Sequence, residues 1–466
     1  MAKSKSASRK IIAVVGGGWA GAAAAVSLAK KNHEVHWIES SRQLGGRARA
    51  IEHNGNILDN GQHILLGAYS SCLALFKILG IKLEDNFLRL PLQMVYPKQS
   101  GMHFVAPRLP APLHLALALF RAQGLTRADK MVLARFSTTA RWMDWQLNVD
   151  CSVSELLQRY EQTDRLIQLM WNPLCIAALN TPPERASARV FLAVLRDSLG
   201  AKRSASDMLL PTSDLTSLMP QAAAQYLLTH GGQVHLGTAV QDLDGADDGQ
   251  WRLVSTSPEL NAMAFDGIVL ATPAEISKRF LIKLANKASK QDVPSLESTD
   301  QAFGVPRPIE FPQDFNYEAI TTCYLQYGPT LRLERPFFAL VDNPMQQHWG
   351  QFVFDRGQLH RDQQGMLAVV VSAAAEAVNI ERETLATQIA AQLAQVLQLP
   401  ELAHPVWHQV ISEKRATFSC TPNLQRPTNL TTRAGLVLAG DYTACDYPAT
   451  LESAARSGIA AAQLLL

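Results

Sequence analysis

The chain has 466 residues, of which 47% are hydrophobic and 18% are charged, and its formal net charge at pH 7 is +2. This length exceeds what one simple hydrophobic core can hold, so we predict two or more domains. The nearly balanced charge argues against nucleic acid as the main partner. The sequence has no run of about 18 uninterrupted apolar residues, and we therefore predict no transmembrane helix.

Cysteine placement indicates the redox environment. The six cysteines are scattered and form no C-x-x-C pair: Cys72, Cys151, Cys175, Cys323, Cys420 and Cys445. This pattern is typical of the reducing cytoplasm, where we expect the protein to be located. It predicts neither a disulfide framework nor a metal site.

The first ten residues are basic, with four Lys or Arg side chains and no acid. An apolar segment follows them, as it does in secretion signals. Three consecutive glycines and Trp19 make that segment a poor signal core. We predict a disordered basic arm instead.

The segment from Ile11 to Glu39 has the pattern of a dinucleotide-binding unit. It contains, in order, an apolar strand (Ile11–Val15), a glycine-rich turn (Gly16, Gly17, Gly18, Trp19, Ala20, Gly21), a helix of small residues (Ala22–Lys31) and a second strand (Glu34–Ile38). In this pattern Gly16 makes the tight turn, Gly18 lets the backbone approach a pyrophosphate, and Gly21 lets helix and strand pack closely. The helix N-terminus offers N–H groups and a positive dipole end to the phosphates. Glu39, with Ser40 beside it, is placed to accept a hydrogen bond from a ribose hydroxyl.

A second polar region follows the nucleotide motif. Gly46 and Arg47 place bare backbone and a guanidinium just beyond the expected ribose site, and a guanidinium can clamp phosphate oxygens. Asn54-Gly55 then predicts a tight hairpin turn. The hairpin leads into a dense polar run: Asp59, Asn60, Gly61, Gln62 and His63.

The stretches VVGGGWAG, GGRAR and DNGQH together resemble the superfamily of FAD-dependent amine oxidases and phytoene desaturases. The longer stretch DNGQHILLGAY is similar to the hydroxysqualene dehydroxylase branch, and the similarity recurs along nearly the whole chain. The resemblance implies FAD as the cofactor. It also implies cofactor contacts from residues of these motifs, and from one later backbone position that holds the adenine ring: Gly16, Gly17, Gly18, Trp19, Ala20, Gly21, Glu39, Ser40, Gly46, Arg47, Gly61, Gln62, His63 and Val240.

The C-terminal stretch is similar to the second FAD motif of the same superfamily. A buried strand ends in Gly440-Asp441, and a helix of small residues starts after Pro448. The resemblance implies that Asp441 contacts the ribityl or phosphate part of FAD, and that the helix N-terminus faces the isoalloxazine. The residues that begin this helix are Ala449, Thr450 and Leu451. Neither Cys420 nor Cys445 lies in an attachment motif of the family, so we expect non-covalent FAD.

The middle of the chain contains the segments that we predict to form the substrate domain. Leu113–Arg121 is too short to span a bilayer, and its pattern is compatible with an interfacial helix or with a buried one. Residues 278–301 and 305–315 predict a surface connection. Four later segments predict strands of a mixed sheet, and one predicts an amphipathic helix: 321–327, 337–341, 351–354, 366–372 and 381–397.

These patterns and the resemblance together predict an α/β protein. It contains a Rossmann-like FAD-binding domain of the GR2 type and an inserted α+β substrate domain with a mixed sheet and helices. We assign residues 8–90, 230–275 and 425–466 to the FAD-binding domain. Residues 91–229 and 276–424 form the predicted substrate domain, whose helical part is where we expect any peripheral contact with the membrane.

The reaction implied by the resemblance is reductive removal of the hydroxyl of hydroxysqualene to give squalene, so the expected substrate is an isoprenoid lipid. Such a reaction needs an external electron donor, which the sequence does not identify, and the resemblance is compatible with association with other enzymes of the squalene pathway. His63 and Asp59 are the candidates for catalysis, with a purely structural role as the alternative for both. Three other functions stay open: a phytoene-type desaturase, an amine oxidase that uses Tyr442 and Tyr447 as an aromatic pair, and a lipid carrier with structural FAD.

Overall fold

The computed structural model describes residues 9–97, 101–245, 249–291 and 311–466. Most of the predicted basic arm and residues 292–310 of the predicted surface connection lie outside these ranges. The strands are β1 (Ile11–Val15), β2 (Glu34–Ile38), β3 (Ala50–His53), β4 (Asn56–Asp59), β5 (Leu65–Leu66), β6 (Phe87–Leu90), β7 (Gln93–Val95), β8 (His103–Val105), β9 (Met208–Pro211), β10 (Gln233–His235), β11 (Val240–Gly245), β12 (Trp251–Ser255), β13 (Gly267–Leu270), β14 (Tyr317–Gln326), β15 (Phe337–Ala339), β16 (Phe352–Asp355), β17 (Met366–Ser372), β18 (Trp407–Phe418) and β19 (Leu436–Leu438). The helices are α1 (Trp19–Ala29), α2 (Ser70–Ile78), α3 (Leu83–Asn86), α4 (Leu113–Arg121), α5 (Arg127–Trp142), α6 (Val153–Arg159), α7 (Asp164–Leu166), α8 (Asn172–Leu179), α9 (Ala188–Leu195), α10 (Ala222–Thr229), α11 (Pro258–Asn261), α12 (Ala274–Gln291), α13 (Arg382–Leu397) and α14 (Leu451–Leu464).

A parallel sheet of five strands joins the N-terminal, middle and C-terminal parts of the chain. Its order is β10-β2-β1-β13-β19, and all four pairings are parallel. The carboxyl ends of three strands meet at one edge, because Val15 pairs with Leu270 and Leu270 pairs with Leu438. Ligands of open α/β sheets bind outside such an edge. The sheet confirms the predicted Rossmann-like fold.

Helices α1 and α14 pack against each other beside this sheet. A Cβ atom added to Gly458 would lie 2.1 Å from the carbonyl oxygen of Ala20, so only glycine permits this approach. The helix α1 is almost wholly buried, because its small side chains let neighbouring elements come close on every side. The contact sets where the N-terminus of α14 lies relative to the glycine turn.

A second sheet of five strands has the order β15-β16-β17-β14-β18. All of its described pairings are antiparallel, which corrects the prediction of a mixed sheet. Strand β18 was not predicted from the sequence, since its outer part carries Glu413, Lys414 and Arg415 and lacks an apolar alternation. Helix α13 covers one face of the sheet through Leu385, Ile389 and other buried side chains.

Helix α12 corrects part of the predicted surface connection. Its apolar stripe is buried together with strands β11 and β12: Phe280, Leu281 and Leu284 lie with Leu243 and Leu253. The charged residues between these positions hid the stripe in the sequence. The division into two domains stays a proposal. Because α12 shares an apolar core with β11 and β12, we assign this helix to the FAD-binding domain within that proposal.

Helices α4 to α9 and strands β7 and β8 surround one apolar cluster. It contains, among others, Phe136, Trp171 and Phe191, and it extends to Tyr442 near the end of β19.

Among the described residues, none of the helices combines the length and the apolar character needed to cross a bilayer.

Candidate cofactor and active site

The glycine turn between β1 and α1 is shaped by contacts that exclude side chains. Gly16 has a φ of +119°, and a Cβ there would lie 2.3 Å from the carbonyl oxygen of Ala271. A Cβ on Gly21 would lie 2.0 Å from the carbonyl oxygen of Gly16. The indole N–H of Trp37 donates to that same oxygen at 2.9 Å. The turn is therefore held in one conformation by its neighbours.

The space around Gly18 is open, in contrast to that around Gly16 and Gly21. A Cβ built on it has no atom of the described residues within 4 Å, and Gly18 provides no side-chain cap to α1. A helix N-terminus with this open approach is suited to an anionic group. The geometry therefore fits the pyrophosphate of a dinucleotide.

Glu39 is oriented by the backbone around it. Its Oε2 accepts from the N–H of Gly17 at 2.6 Å, and its Oε1 accepts from the N–H of Ser41 at 2.7 Å. The hydroxyl of Ser40 donates to Oε1 at 3.1 Å. A carboxylate has about four lone-pair sites, so these contacts leave capacity for a ribose hydroxyl.

The predicted adenine position lies near the same carboxylate residue. The N–H of Thr238 donates to the carbonyl oxygen of Glu39 at 2.9 Å. Val240 begins strand β11 two residues later and is only partly buried. The Thr238 contact joins the segment before β11 to Glu39, and the contact of Val240 with the adenine ring stays a prediction.

The segment that contains Gly46 packs directly on the glycine turn. The N–H of Gly45 donates to the carbonyl oxygen of Gly17 at 2.8 Å. Gly46 has a φ of +61°, and a Cβ there would lie 3.1 Å from the Cα of Gly18. The bare backbone of Gly45 and Gly46 therefore permits the two chain segments to lie directly against each other.

Arg47 connects the two predicted cofactor motifs. Its Nη2 lies 2.6 Å from both carboxylate oxygens of Asp441, and its Nη1 donates to the carbonyl oxygen of Ala416 at 2.7 Å. Burial lowers the pKa of Arg47, but Asp441 raises it, and the net direction is upward. The guanidinium therefore stays charged beside the carboxylate, and the contacts of both groups with FAD stay a prediction.

The polar run after β4 lies against the centre of β14. A Cβ on Gly61 would be 3.6 Å from the ring of His63 and 3.9 Å from the hydroxyl of Thr322. This Thr322 hydroxyl is buried and has no hydrogen-bond partner among the described residues. A bound group that supplies a partner fits the site. Thr322 was missed by the sequence analysis, because a single Thr in an apolar strand has no distinguishing pattern.

His63 is held by its own loop. Its Nδ1 lies 2.9 Å from the carbonyl oxygen of Gly61, an acceptor, so Nδ1 carries the hydrogen and Nε2 is the acceptor of the neutral ring. Burial lowers the pKa of His63, and the Gly61 carbonyl opposes this effect in part. The ring is therefore neutral near pH 7.

Asp59 lies deeper than His63, with only 2% of its surface exposed. Its Oδ1 accepts from the N–H of Leu215 at 2.9 Å, and its Oδ2 lies 3.8 Å from the guanidinium of Arg356. Burial raises the pKa of Asp59 to about 6, against the lowering effects of Arg356 and Leu215. These contacts favour a structural role for this carboxylate.

Arg356 is a functional candidate that the sequence analysis did not find. It is 1% exposed, donates to Gln62 at 2.9 Å and to Gln363 at 2.7 Å, and lies beside Asp59. A buried guanidinium is costly unless its donors are satisfied. It therefore ties the loop of Gln62 and His63 to the end of β16. An Arg directly after an apolar strand was the only signal in the sequence.

The predicted start of the last helix is confirmed. Thr450 caps α14 and forms a reciprocal pair with Ser453, while Leu451 is the first helical residue. Glu452 is fully buried and accepts from the N–H groups of Ser71 and Cys72 at 3.0 Å. This carboxylate links the N-terminus of α14 to that of α2. It was not recognised in the sequence.

Tyr442 and Tyr447 are each engaged in separate buried contacts. The hydroxyl of Tyr442 donates to Ser277 at 2.9 Å, and that of Tyr447 donates to Asp197 at 2.7 Å. The guanidinium of Arg456 lies 4.0 Å from the centre of the Tyr447 ring. These contacts give both rings structural roles, which weakens the amine oxidase alternative.

The comparison with known families agrees with this geometry. Residues 19–466 match the family described as flavin containing amine oxidoreductase. The chain belongs to this family. Its cofactor is FAD, and the glycine turn, Glu39, Arg47 and Asp441 are the groups whose geometry fits it.

Curated proteins of two kinds are similar to the chain over nearly its whole length. Hydroxysqualene dehydroxylase of Rhodopseudomonas palustris is 28% identical over 98% of each chain. Hydroxysqualene dehydroxylase of Zymomonas mobilis is 24% identical over 97% of this chain and 98% of that protein. The 15-cis-phytoene desaturase of Glycine max is 23% identical over 98% of this chain and 79% of that protein.

Solved structures show the same fold. A mutant of putrescine oxidase superposes with a TM-score of 0.68 at 16% identity, over 98% of each chain. A putative protoporphyrinogen oxidase from Exiguobacterium sp. 255-15 superposes with a TM-score of 0.63 at 15% identity, also over 98% of each chain. These likenesses confirm the α/β architecture with a Rossmann-like FAD domain.

Proposed function

We propose that this flavin-dependent oxidoreductase reductively removes the hydroxyl of hydroxysqualene and releases squalene. One observation carries the proposal: the similarity to two hydroxysqualene dehydroxylases spans at least 97% of this chain and 98% of each of them. The phytoene desaturase of Glycine max matches over a smaller share of its own length, 79%. The stretch Asp59–Tyr69, with its DNGQH run, supports the same branch.

The proposed reaction exchanges a C–O bond for a C–H bond. When bound and reduced, FAD supplies the hydride, and the hydroxyl leaves as water after it takes up a proton. The residues of the chain would bind and orient the cofactor. Arg47 and Asp441 would contact the phosphate and ribityl parts of FAD, and Glu39 would accept a hydrogen bond from the ribose hydroxyl. An external two-electron donor restores reduced FAD.

We propose that His63 is the polar group that contacts the leaving hydroxyl. Its Nδ1 is fixed by Gly61, so Nε2 is available to accept from the substrate hydroxyl. Because burial lowers its pKa, His63 first accepts a hydrogen bond from the hydroxyl, and it donates a proton to the hydroxyl only after it has taken one up from water. Asp59 and Arg356 support the loop beneath it.

The isoprenoid chain is proposed to lie along the apolar cluster of the helical part. This cluster is rich in aromatic side chains, and it includes Tyr442 and the partly buried Ala449 at the start of α14. Apolar surroundings of this kind bind a hydrocarbon chain with few polar contacts. The helix start that faces the cofactor therefore also meets the proposed substrate region.

Anaerobic turnover tests the function directly. The purified holoprotein is photoreduced, mixed with hydroxysqualene, and followed by the flavin spectrum and by chromatography of the hydrocarbon product. We expect flavin reoxidation with formation of squalene in equal amount. Reduced flavin that hydroxysqualene does not reoxidise would overturn the proposal.

A phytoene-type desaturase is the second candidate, supported by the similarity to 15-cis-phytoene desaturase over 98% of this chain. The two functions differ in the direction of electron flow. A desaturase reduces its oxidised flavin when phytoene is added, whereas the proposed dehydroxylase oxidises its reduced flavin. If neither substrate changes the flavin spectrum, the lipid-carrier alternative is favoured.

A further inference from the structure

Helices α4 and α5 present exposed apolar side chains on their outer faces. The exposed fractions are 58% for Leu113, 78% for Phe120, 73% for Met131 and 88% for Trp142. We call these four residues the α4–α5 face. The inner sides of both helices are packed, since Ala118 of α4 and Phe136 of α5 are buried in the apolar cluster of the helical part.

The four side chains are arranged with helical periodicity. Leu113 and Phe120 are seven residues apart on α4, and Met131 and Trp142 are eleven apart on α5, so each pair lies on one side of its helix. The amine of Lys130 donates to the carbonyl oxygen of Phe120 at 2.9 Å. This contact places the end of α4, where Phe120 lies, against the first turns of α5, where Met131 lies.

The same segment is strongly basic. Residues 108–149 contain six Lys or Arg residues and two Asp residues, in a chain whose total net charge is only +2. Asp129 is buried and caps α5, so it contributes little to the surface charge. Arg108, Arg121, Arg127 and Arg141 are exposed. Exposed apolar side chains among basic ones are typical of helices that lie in an anionic membrane interface.

We infer that the α4–α5 face docks onto an anionic phospholipid bilayer. Phe120, Met131 and Trp142 insert among the acyl chains near the headgroups, and the surrounding arginines contact the phosphates. α4 has nine residues and is therefore roughly 14 Å long, which suits a helix that lies along the surface. This inference does not depend on the reaction proposed above.

Vesicle co-sedimentation of the full-length holoprotein tests the inference. We expect binding to phosphatidylglycerol-rich vesicles, much weaker binding to pure phosphatidylcholine, and weakening by added salt. The double variant Phe120→Ser/Trp142→Ser should bind at least roughly tenfold more weakly. The matched control Met345→Ser/Val406→Ser removes apolar side chains that are 94% and 82% exposed elsewhere, and it should bind like the wild type.

Charge reversal provides a second, independent test of vesicle binding. Arg127→Glu/Arg141→Glu should weaken binding to anionic vesicles, whereas Lys30→Glu/Lys31→Glu, also at exposed positions, should have a smaller effect. Bound FAD and thermal melting, measured for every variant, verify that each is folded. If Phe120→Ser/Trp142→Ser binds as tightly as the wild type, another part of the chain drives association and the inference is wrong. Equal losses in the variants and their controls would overturn it as well.

Discussion

The guanidinium of Arg47 and the carboxylate of Asp441 lie 2.6 Å apart, although 394 positions separate them in the sequence. Each residue belongs to a different cofactor motif. Their contact joins the segment that follows the glycine-rich turn to the segment that precedes α14. This relationship supports the prediction that both motifs contact the same FAD molecule.

Removing either partner should weaken FAD binding. Arg47→Ala and Asp441→Asn each lose a charge-assisted contact at the cofactor, and we expect a roughly 10- to 100-fold increase in the Kd for FAD. Titration of the apoprotein by flavin fluorescence measures this. Arg382→Ala, at an exposed position at the start of α13, is the control and should bind normally. Unchanged affinity in both site variants would contradict their assigned roles.

The close approach of α14 to α1 predicts that Gly458 is sensitive to substitution. Gly458→Ala places a methyl group 2.1 Å from the Ala20 carbonyl oxygen, so the helices must separate. We expect a loss of about 2 kcal/mol or more in the free energy of unfolding, together with weaker FAD binding. Urea denaturation measures the stability. Gln463→Ala, at an exposed position of the same helix, should be nearly neutral.

Arg356 and Asp59 should be energetically coupled. Arg356→Met leaves a buried carboxylate without its guanidinium, which costs on the order of 3 kcal/mol of unfolding free energy. Adding Asp59→Asn removes that carboxylate charge and should restore part of the stability. A double-mutant cycle by urea denaturation measures the coupling. Additive losses would show that the two groups do not interact.

His360 predicts a stability change with pH. Burial, followed by the charge of Arg356, lowers the pKa of His360 from 6.5 to about 3. Below about pH 6.5 the unfolded chain binds a proton at His360 that the folded protein does not, so stability falls as the pH falls. From this group alone we expect a loss of about 2 kcal/mol between pH 7.5 and pH 5.

The variant His360→Gln should lack this component of the pH dependence, whereas His404→Gln, at an exposed position, should retain it. The raised pKa of Asp59 has the opposite effect on stability. As the pH falls to about 6, Asp59 binds a proton in the folded protein before it does so in the unfolded chain, so this group increases stability as the pH falls. Asp59 is present in all three proteins. The difference between the curves of unfolding free energy against pH therefore reports on His360.

His63 should affect turnover more than cofactor binding. We expect His63→Gln to retain FAD and to lower kcat by at least about tenfold, because a contact to the reacting hydroxyl is lost. Single-turnover reoxidation of photoreduced enzyme by hydroxysqualene provides the rate. His63→Phe with bound FAD and full turnover would rule out this role. His404→Gln is again the control.

Local sequence determined the nucleotide-binding part of this protein. Strands β1 and β2 have their predicted bounds, because short apolar runs bounded by glycine or polar residues indicate buried strands from the local pattern alone. Leu113–Arg121 is likewise a helix with the predicted limits. The sequence left open whether it was buried. Its exposed face was decided by how α4 packs.

Tertiary structure alone decided the contacts between distant segments. The sequence does not show that Arg356 lies under the loop of Gln62, that Glu452 caps α2, or that Thr322 borders Gly61. Each depends on segments brought together by the two sheets. A single polar residue in an apolar segment has the same local pattern whether it meets a partner or water. For this reason the sequence was sufficient to predict the cofactor and its glycine turn, whereas the buried polar network around His63 required the fold.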